Sequence, residues 1–116
     1  MDAMKPALSA LRAFGDKLGV TANNIANVNT DDFKKSRALL EEASPDGVTV
    51  SISRVETPRA PIPTEDGTNQ TREASNVETD EEMINLLTTK HAYTANLKVI
   101  KAEGEMLGTL FDIADK

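Results

Sequence analysis

The sequence predicts a mainly α fold: long N- and C-terminal helices packed as an antiparallel coiled-coil-like pair, with a small β-hairpin or irregular loop between them. Three observations carry that expectation. Residues 4–28 repeat apolar side chains every seven positions, and residues 79–115 place them at alternating steps of three and four. Between these, Val48, Val50 and Ile52 alternate with Thr49, Ser51 and Ser53. The first two are periods of helices with an apolar stripe, and the third is the period of a half-buried strand. The chain accordingly divides into residues 1–30, 31–74 and 75–116.

In the first segment Met4, Leu11, Leu18 and Ile25 are interleaved with Ala7, Phe14, Thr21 and Val28, a 3.5-residue period with only Thr21 polar. Pro6 is tolerated only in a first turn, so the ordered helix is expected to begin near Lys5. Asn27, Asn29 and Thr30 supply the stop, because short polar side chains compete for backbone hydrogen bonds.

The middle segment changes character. Phe33 and Leu39-Leu40 flank a short charged stretch, and Pro45-Asp46-Gly47 is a turn signal. Pro58, Pro61 and Pro63 forbid a regular helix or central strand. From Thr64 to Ser75 the run is polar and reads as an exposed or disordered loop.

For the last segment, Thr79 is a candidate N-cap with Glu82 three residues on, a capping box, and Asp80, Glu81 and Glu82 complement the positive helix end. One seam runs Met83, Leu86, Lys90, Tyr93, Leu97, Ile100, Gly104, Leu107, Phe111, Ala114. A second stripe runs Ile84, Leu87, His91, Ala95, Val99, Ala102, Met106, Leu110, Ile113. A helix partnered only by the N-terminal segment needs one apolar face, so two faces imply further neighbours. Both helices hold a glycine pair, Gly15/Gly19 and Gly104/Gly108, of the kind that lets backbones approach closely. Each glycine costs about 1 kcal/mol in a helix interior unless packing compensates.

Composition excludes several functions. Aromatics make up 3% of the chain, so the core must come from Leu, Ile, Val, Met and Ala. The net charge of −6 disfavours nucleic acid, whose phosphates call for a basic face. Residues 1–40 carry six Lys/Arg against four Asp/Glu, while residues 76–116 carry four against eight, so the two helices attract weakly. With no cysteine there is no disulfide framework or thiolate metal site. Charges at Asp2, Lys5, Arg12, Asp16 and Lys17 break up the N-terminus, which reads as neither a secretory signal nor a membrane span.

Catalytic constellations are missing. His91 has Leu87, Thr88, Thr94 and Ala95 at helical spacing, so no ligand pair forms and it reads as a packed or surface histidine. Glu81/Glu82 and Glu103/Glu105 read as cap and solvated-face residues rather than acid–base pairs. Neither a phosphate loop nor a nucleophile elbow occurs. Asn69-Gln70-Thr71 matches a glycosylation acceptor, a pattern too short and common to carry weight. Asn23, Asn24, Asn27 and Asn29 are costly in a helix by propensity. They either fray the end of a coiled coil or make hydrogen bonds within and between subunits, fixing register as a buried Asn does in a coiled coil.

Two stretches carry a family resemblance: Ala22-Asn23-Asn24-Ile25-Ala26-Asn27-Val28-Asn29-Thr30 with Phe33-Lys34-Lys35, and Ser75-Asn76-Val77-Glu78 leading into Glu81-Glu82-Met83-Ile84-Asn85-Leu86-Leu87, Ala92-Tyr93-Thr94-Ala95-Asn96 and Met106-Leu107-Gly108-Thr109-Leu110. In order and placement the chain resembles the axial proteins of the bacterial flagellar basal-body rod and hook, as a short, proximal-rod-sized member. Members commonly have Gly where Asp32 stands, a residue that suits a left-handed turn better. Lys90-His91-Ala92-Tyr93 stands where Gln-Arg-Ala-Tyr is common, and Glu103-Gly104 replaces a typical Ala-Asp/Glu.

The resemblance implies a non-enzymatic structural subunit that self-assembles through its terminal helices and transmits torque. Its implied place is the basal body, reached by the flagellar type III export apparatus without signal cleavage. Implied partners are copies of itself and other rod or hook proteins, with no cofactor, metal, nucleic acid, small-molecule substrate or membrane insertion. The residues expected to carry packing and assembly are Leu11, Phe14, Leu18, Asn23, Asn24, Ile25, Asn27, Asn29, Met83, Leu86, Tyr93, Asn96, Leu97, Ile100, Met106, Leu107 and Leu110. The alternative is a cytoplasmic coiled-coil adaptor or regulatory oligomer that never enters a flagellum.

Overall fold

A computed structural model describes residues 3–63, 65, 67 and 71–115; Asn69 and Gln70 of the acceptor pattern and part of the expected 64–75 loop lie outside the described residues. The elements run α1 (Met4–Ala26), β1 (Ser36–Glu42), β2 (Val48–Arg54), β3 (Pro61–Ile62), β4 (Arg72–Glu73) and α2 (Thr79–Ala114). The molecule is a rod, 83 × 24 × 16 Å along its principal axes. The mainly α architecture is the expected one: two long helices with a small antiparallel hairpin between them in sequence.

Pro6 falls in the first turn of α1, where its missing N–H costs nothing. The helix ends at an asparagine cap. The Asn27 backbone N–H donates to Asn23 O, its Nδ2 donates to the same carbonyl at 2.8 Å, and Thr30 Oγ1 donates to Asn27 Oδ1 at 3.0 Å. Side chains thus satisfy groups the last turn leaves open.

β1 and β2 pair antiparallel from Ser36↔Arg54 to Glu42↔Val48. The hairpin lies along α1 and is tied to it at both ends. At its base, Asn24 bonds both backbone groups of Ser36: Nδ2 donates to Ser36 O at 2.8 Å, and Ser36 N donates to Asn24 Oδ1 at 3.0 Å. Near its tip, Val48 N donates to Ser9 Oγ at 3.0 Å. Those ties are 15 residues apart on the helix, about 22 Å at 1.5 Å per residue, which the seven-residue strands match at about 3.4 Å per residue. Gly47 closes the tip with φ +96°, and a Cβ there would stand 2.5 Å from Ser9 Oγ.

β3 and β4 form a second, two-residue ladder that the proline pattern did not suggest. Pro61 is admissible because the ladder is short and all edge. Asp32 adopts φ 62°, the left-handed turn that glycine favours, and two bonds hold it: Asp32 N donates to Glu73 O at 2.7 Å, and Glu73 N donates to Asp32 Oδ1 at 2.9 Å. Beyond β4 the chain dives inward. Ser75, Asn76 and Val77 are buried, contrary to the exposed loop expected as far as Ser75.

α2 starts without the expected capping box. Glu78 occupies the N-cap position with no side-chain cap bond, and Thr79 is already helical. Glu82 is drawn into the interior instead. At 36 residues against 23, α2 outruns α1 by about 20 Å. The start of α1 (Ala3, Pro6, Ala7, Ala10) lies beside Asn96 and Val99, whereas Thr21 and Asn24 near its end lie beside Glu81, Glu82 and Asn85, so the helices run antiparallel.

Candidate assembly surface

Two buried asparagines organise the junction where all the segments meet. Asn24, 1% exposed, holds β1 by its paired bonds to Ser36 and donates from the same Nδ2 to Glu82 Oε1 on α2 at 3.3 Å. Asn76 does the same for the linkers: Lys35 N donates to its Oδ1 at 2.7 Å, and its Nδ2 donates to the carbonyls of Val55 and Thr57. An amide serves here because it offers donor and acceptor from one rigid plane. Ion pairs surround the junction. Lys35 and Arg37 both reach Glu81, at 3.3 and 3.4 Å, and Lys34 meets Glu73 at 2.7 Å.

The charges respond to these settings. Burial pushes the Glu82 carboxyl above its ordinary value, and Glu81 adds to that, while the Asn24 hydrogen bond and the Lys35 and Arg37 charges pull the other way. The Lys34 hydrogen bond and charge hold Glu73 below the ordinary range.

The face of α2 turned towards α1 mixes polar residues with a few aliphatic ones. Glu82, Thr89 and Glu103 are buried, and Asn85, Leu86, Ala92, Asn96, Ile100 and Leu107 are half-buried. Glu82 and Glu103 are therefore interior residues, which corrects the reading of them as cap and solvated-face carboxylates. Opposite them α1 presents Ala7, Ala10, Ala13, Thr21 and Asn24.

The bulk of the apolar side chains points outward. Met83, Tyr93 and Leu97 of the first α2 stripe are exposed, as are Ile84, Leu87, Val99, Met106, Leu110 and Ile113 of the second. Phe111 is 71% exposed. On α1, Leu18 is exposed, while Leu11, Phe14 and Ile25 are half-buried. An open groove of about 290 Å³ brings Leu18 to Leu86, Thr89, Lys90, Tyr93 and Thr94. His91 is exposed on the outer stripe. Of the asparagines, Asn24 is buried, Asn27 half-buried, and Asn23 and Asn29 exposed. The hydrogen bonds they make here lie within the chain.

The glycine pairs do not mediate close helix approach inside the molecule. A Cβ at Gly15, Gly19, Gly104 or Gly108 would meet nothing within 4 Å, so each pair faces open space. From Gly104 to Asp115 every residue but Leu107 is exposed, leaving an overhanging helical end. Among the described residues no group of His, Cys, Asp and Glu is arranged to hold a metal, and no helix is long and apolar enough to cross a membrane.

Sequence reasoning missed the polar residues of the inward face. Glu82, Thr89 and Glu103 gave no sign of burial, because acidic and hydroxyl side chains normally face water. The seven-residue spacing from Glu82 to Thr89, and on through Asn96 to Glu103, was the available signal.

Comparison with protein families gives two matches, one at each end. Residues 4–34 match the family described as flagella basal body rod protein, and residues 69–113 match the one described as flagellar basal body rod FlgEFG protein C-terminal. Together they cover well over half of the chain. A comparison with curated proteins finds no match.

Proposed function

We propose, for a chain whose two ends match flagellar basal-body rod families, that it is a structural rod subunit that assembles through its helices. One observation carries this reading. The longest helix turns its largest apolar side chains, Met83, Ile84, Leu87, Leu97, Met106, Leu110 and Phe111, away from the rest of the chain. Outward apolar side chains from two stripes along a helix of that length mark a protein interaction surface. Copies of this chain and other rod or hook proteins cover it, and the resulting stack transmits torque. The short middle section suits a subunit of proximal-rod size, delivered by the flagellar export apparatus without signal cleavage. In this reading the protein catalyses nothing.

Deleting the gene and immunolocalising the restored protein on purified basal bodies tests the proposal. The expected result is loss of rods and motility on deletion, with the protein recovered in the basal-body fraction on complementation. Normal motility after deletion, with the protein found as a finite cytoplasmic oligomer, would establish the adaptor alternative instead.

A further inference from the structure

Every seventh residue of α2 from Glu82 to Glu103 is polar, and that column faces α1. Glu82, Thr89 and Glu103 are at most 3% exposed, and Asn96 is half-buried. A seven-residue period keeps one line of side chains on the seam of a helix pair. Polar residues on such a line specify register and weaken the pairing. Two of the buried oxygens, Thr89 Oγ1 and Glu103 Oε2, have no hydrogen-bond partner among the described residues. The contrast lies within one helix: Thr88, Thr94 and Thr109 each donate to the carbonyl four residues back, while Thr89 does not.

The other faces of α1 are built the opposite way. Asn24 to Ser36 and Ser9 to Val48 tie the hairpin to α1 through satisfied bonds; the Asn24 amide also reaches Glu82 of α2 at 3.3 Å, while the Ser9 tie is made to the hairpin alone. Among the described residues α2 packs on α1 and meets β1 through the Arg37–Glu81 ion pair.

We propose that the α1–α2 seam is a releasable joint: the column Glu82, Thr89, Asn96 and Glu103 holds α2 in register yet loosely, so that α2 swings free of α1 while the α1–hairpin unit stays folded, and protonation of Glu82 closes the joint. The groups facing Glu82 are Asn24 and Lys17 from α1, Lys35 and Arg37 from β1 and the residue before it, and Glu81 and Asn85 from α2 itself. Lys35 and Arg37 are both engaged by Glu81 rather than by Glu82. Burial therefore leaves the Glu82 carboxylate costly when ionised, consistent with its upward shift. Asn24 can still donate to a neutral Glu82, less strongly than to the charged form, so the junction survives protonation. The joint is a property of the isolated chain and holds or fails whatever the chain assembles into.

Hydrogen exchange on the full purified chain tests this. At neutral pH the seam amides of α2, residues 85–103, should be protected at least tenfold less than those of β1 and β2. As pH falls from neutral towards the ordinary carboxylate value of 4.5, their protection factors should rise severalfold towards the hairpin's, with the hairpin values unchanged. Glu82→Gln should give the acid behaviour at neutral pH and remove the pH dependence. Thr89→Val, of the same shape without the hydroxyl, should raise α2 protection at both pH values. Equal protection of α2 and hairpin at neutral pH would overturn the proposal. So would lower α2 protection in Thr89→Val, or a Glu82→Gln profile that follows the parent's. Should a variant fail to fold, the parent's own pH series decides.

Discussion

Helix α1 is gripped from two sides, by α2 and by the hairpin, whereas among the described residues α2 packs on α1 alone and reaches β1 through the ion pair of Glu81 in its first turns. The difference extends to the side chains. α1 buries alanines and a fully engaged Asn24, and leaves few large apolar residues outside, Leu8 and Leu18 being the exposed ones. α2 buries two carboxylates and a hydroxyl, and exposes ten large apolar side chains along its length. So the α1–hairpin unit is the self-sufficient part, and α2 is the part whose apolar surface calls for a partner elsewhere.

The sharpest way to break that contrast is to remove the residue that belongs to both sides. Asn24→Ala should cost about 2–5 kcal/mol, because it strands both backbone groups of Ser36 and the Glu82 carboxylate in a buried setting. Chemical denaturation followed by far-UV circular dichroism measures it. Asn24→Asp is the informative companion. It keeps the acceptor for Ser36 N but sets a second carboxylate against Glu82, so its loss at neutral pH should shrink on acidification.

Gly47→Ala comes next and affects only the hairpin side. The φ of +96° and a Cβ only 2.5 Å from Ser9 Oγ predict a loss of about 2 kcal/mol. Exchange protection should fall in β1 and β2 while that of the α1–α2 seam changes less. A uniform loss across the molecule would show that the two regions are not separable.

Acid separates the two regions with opposite signs. The folded-state pKa of Glu82 is raised, so its contribution to stability is complete below the ordinary value of 4.5 and is lost as pH rises through the folded value. The folded-state pKa of Glu73 is lowered, so its contribution is present above 4.5 and is lost as pH falls through the folded value. Glu82→Gln should therefore raise the thermal midpoint at neutral pH, and Glu73→Gln should remove part of the loss seen at low pH. Identical pH profiles for the parent and both variants would refute the assignment.

How the sequence speaks about these regions follows the same division. Periodicity revealed both helices, and the alternation from Val48 to Ile52 revealed β2, because such patterns depend only on which side chains share a face. The rotation of α2 was not legible. The heptad patterns lead to the expectation that Tyr93, Leu97, Ile100 and Leu107 pack on Leu11, Phe14, Leu18 and Ile25; Ile100 and Leu107 are half-buried, but Tyr93 and Leu97 are exposed, because a stripe records that a surface is covered without naming what covers it. Asn24 and Asn76 stood within recognisable signatures, but their partners are backbone groups of Ser36, Lys35, Val55 and Thr57, and a backbone group carries no sequence mark. Asp32 was the opposite case. Its place in a position that suits glycine pointed to the left-handed turn it adopts, and the bond from Glu73 N shows what holds an aspartate there.

The smallest effect on the isolated chain is expected at the overhang, and there the comparison is sharpest. Phe111 and Leu110 lie beyond the reach of α1 and are mostly exposed, so Phe111→Ser or Leu110→Ser should change folding stability by no more than about 0.5 kcal/mol. If this end of α2 is covered only in an assembly, the same substitutions should reduce incorporation into basal bodies and swarming on soft agar by a large factor. Ala13→Ser, a change of similar chemistry on the buried face of α1, should do the reverse, lowering the midpoint of the purified chain first. Should Phe111→Ser instead destabilise the monomer and Ala13→Ser spare it, α2 would be packed on its own chain along its whole length, and the outward stripe would lose its meaning as a docking surface.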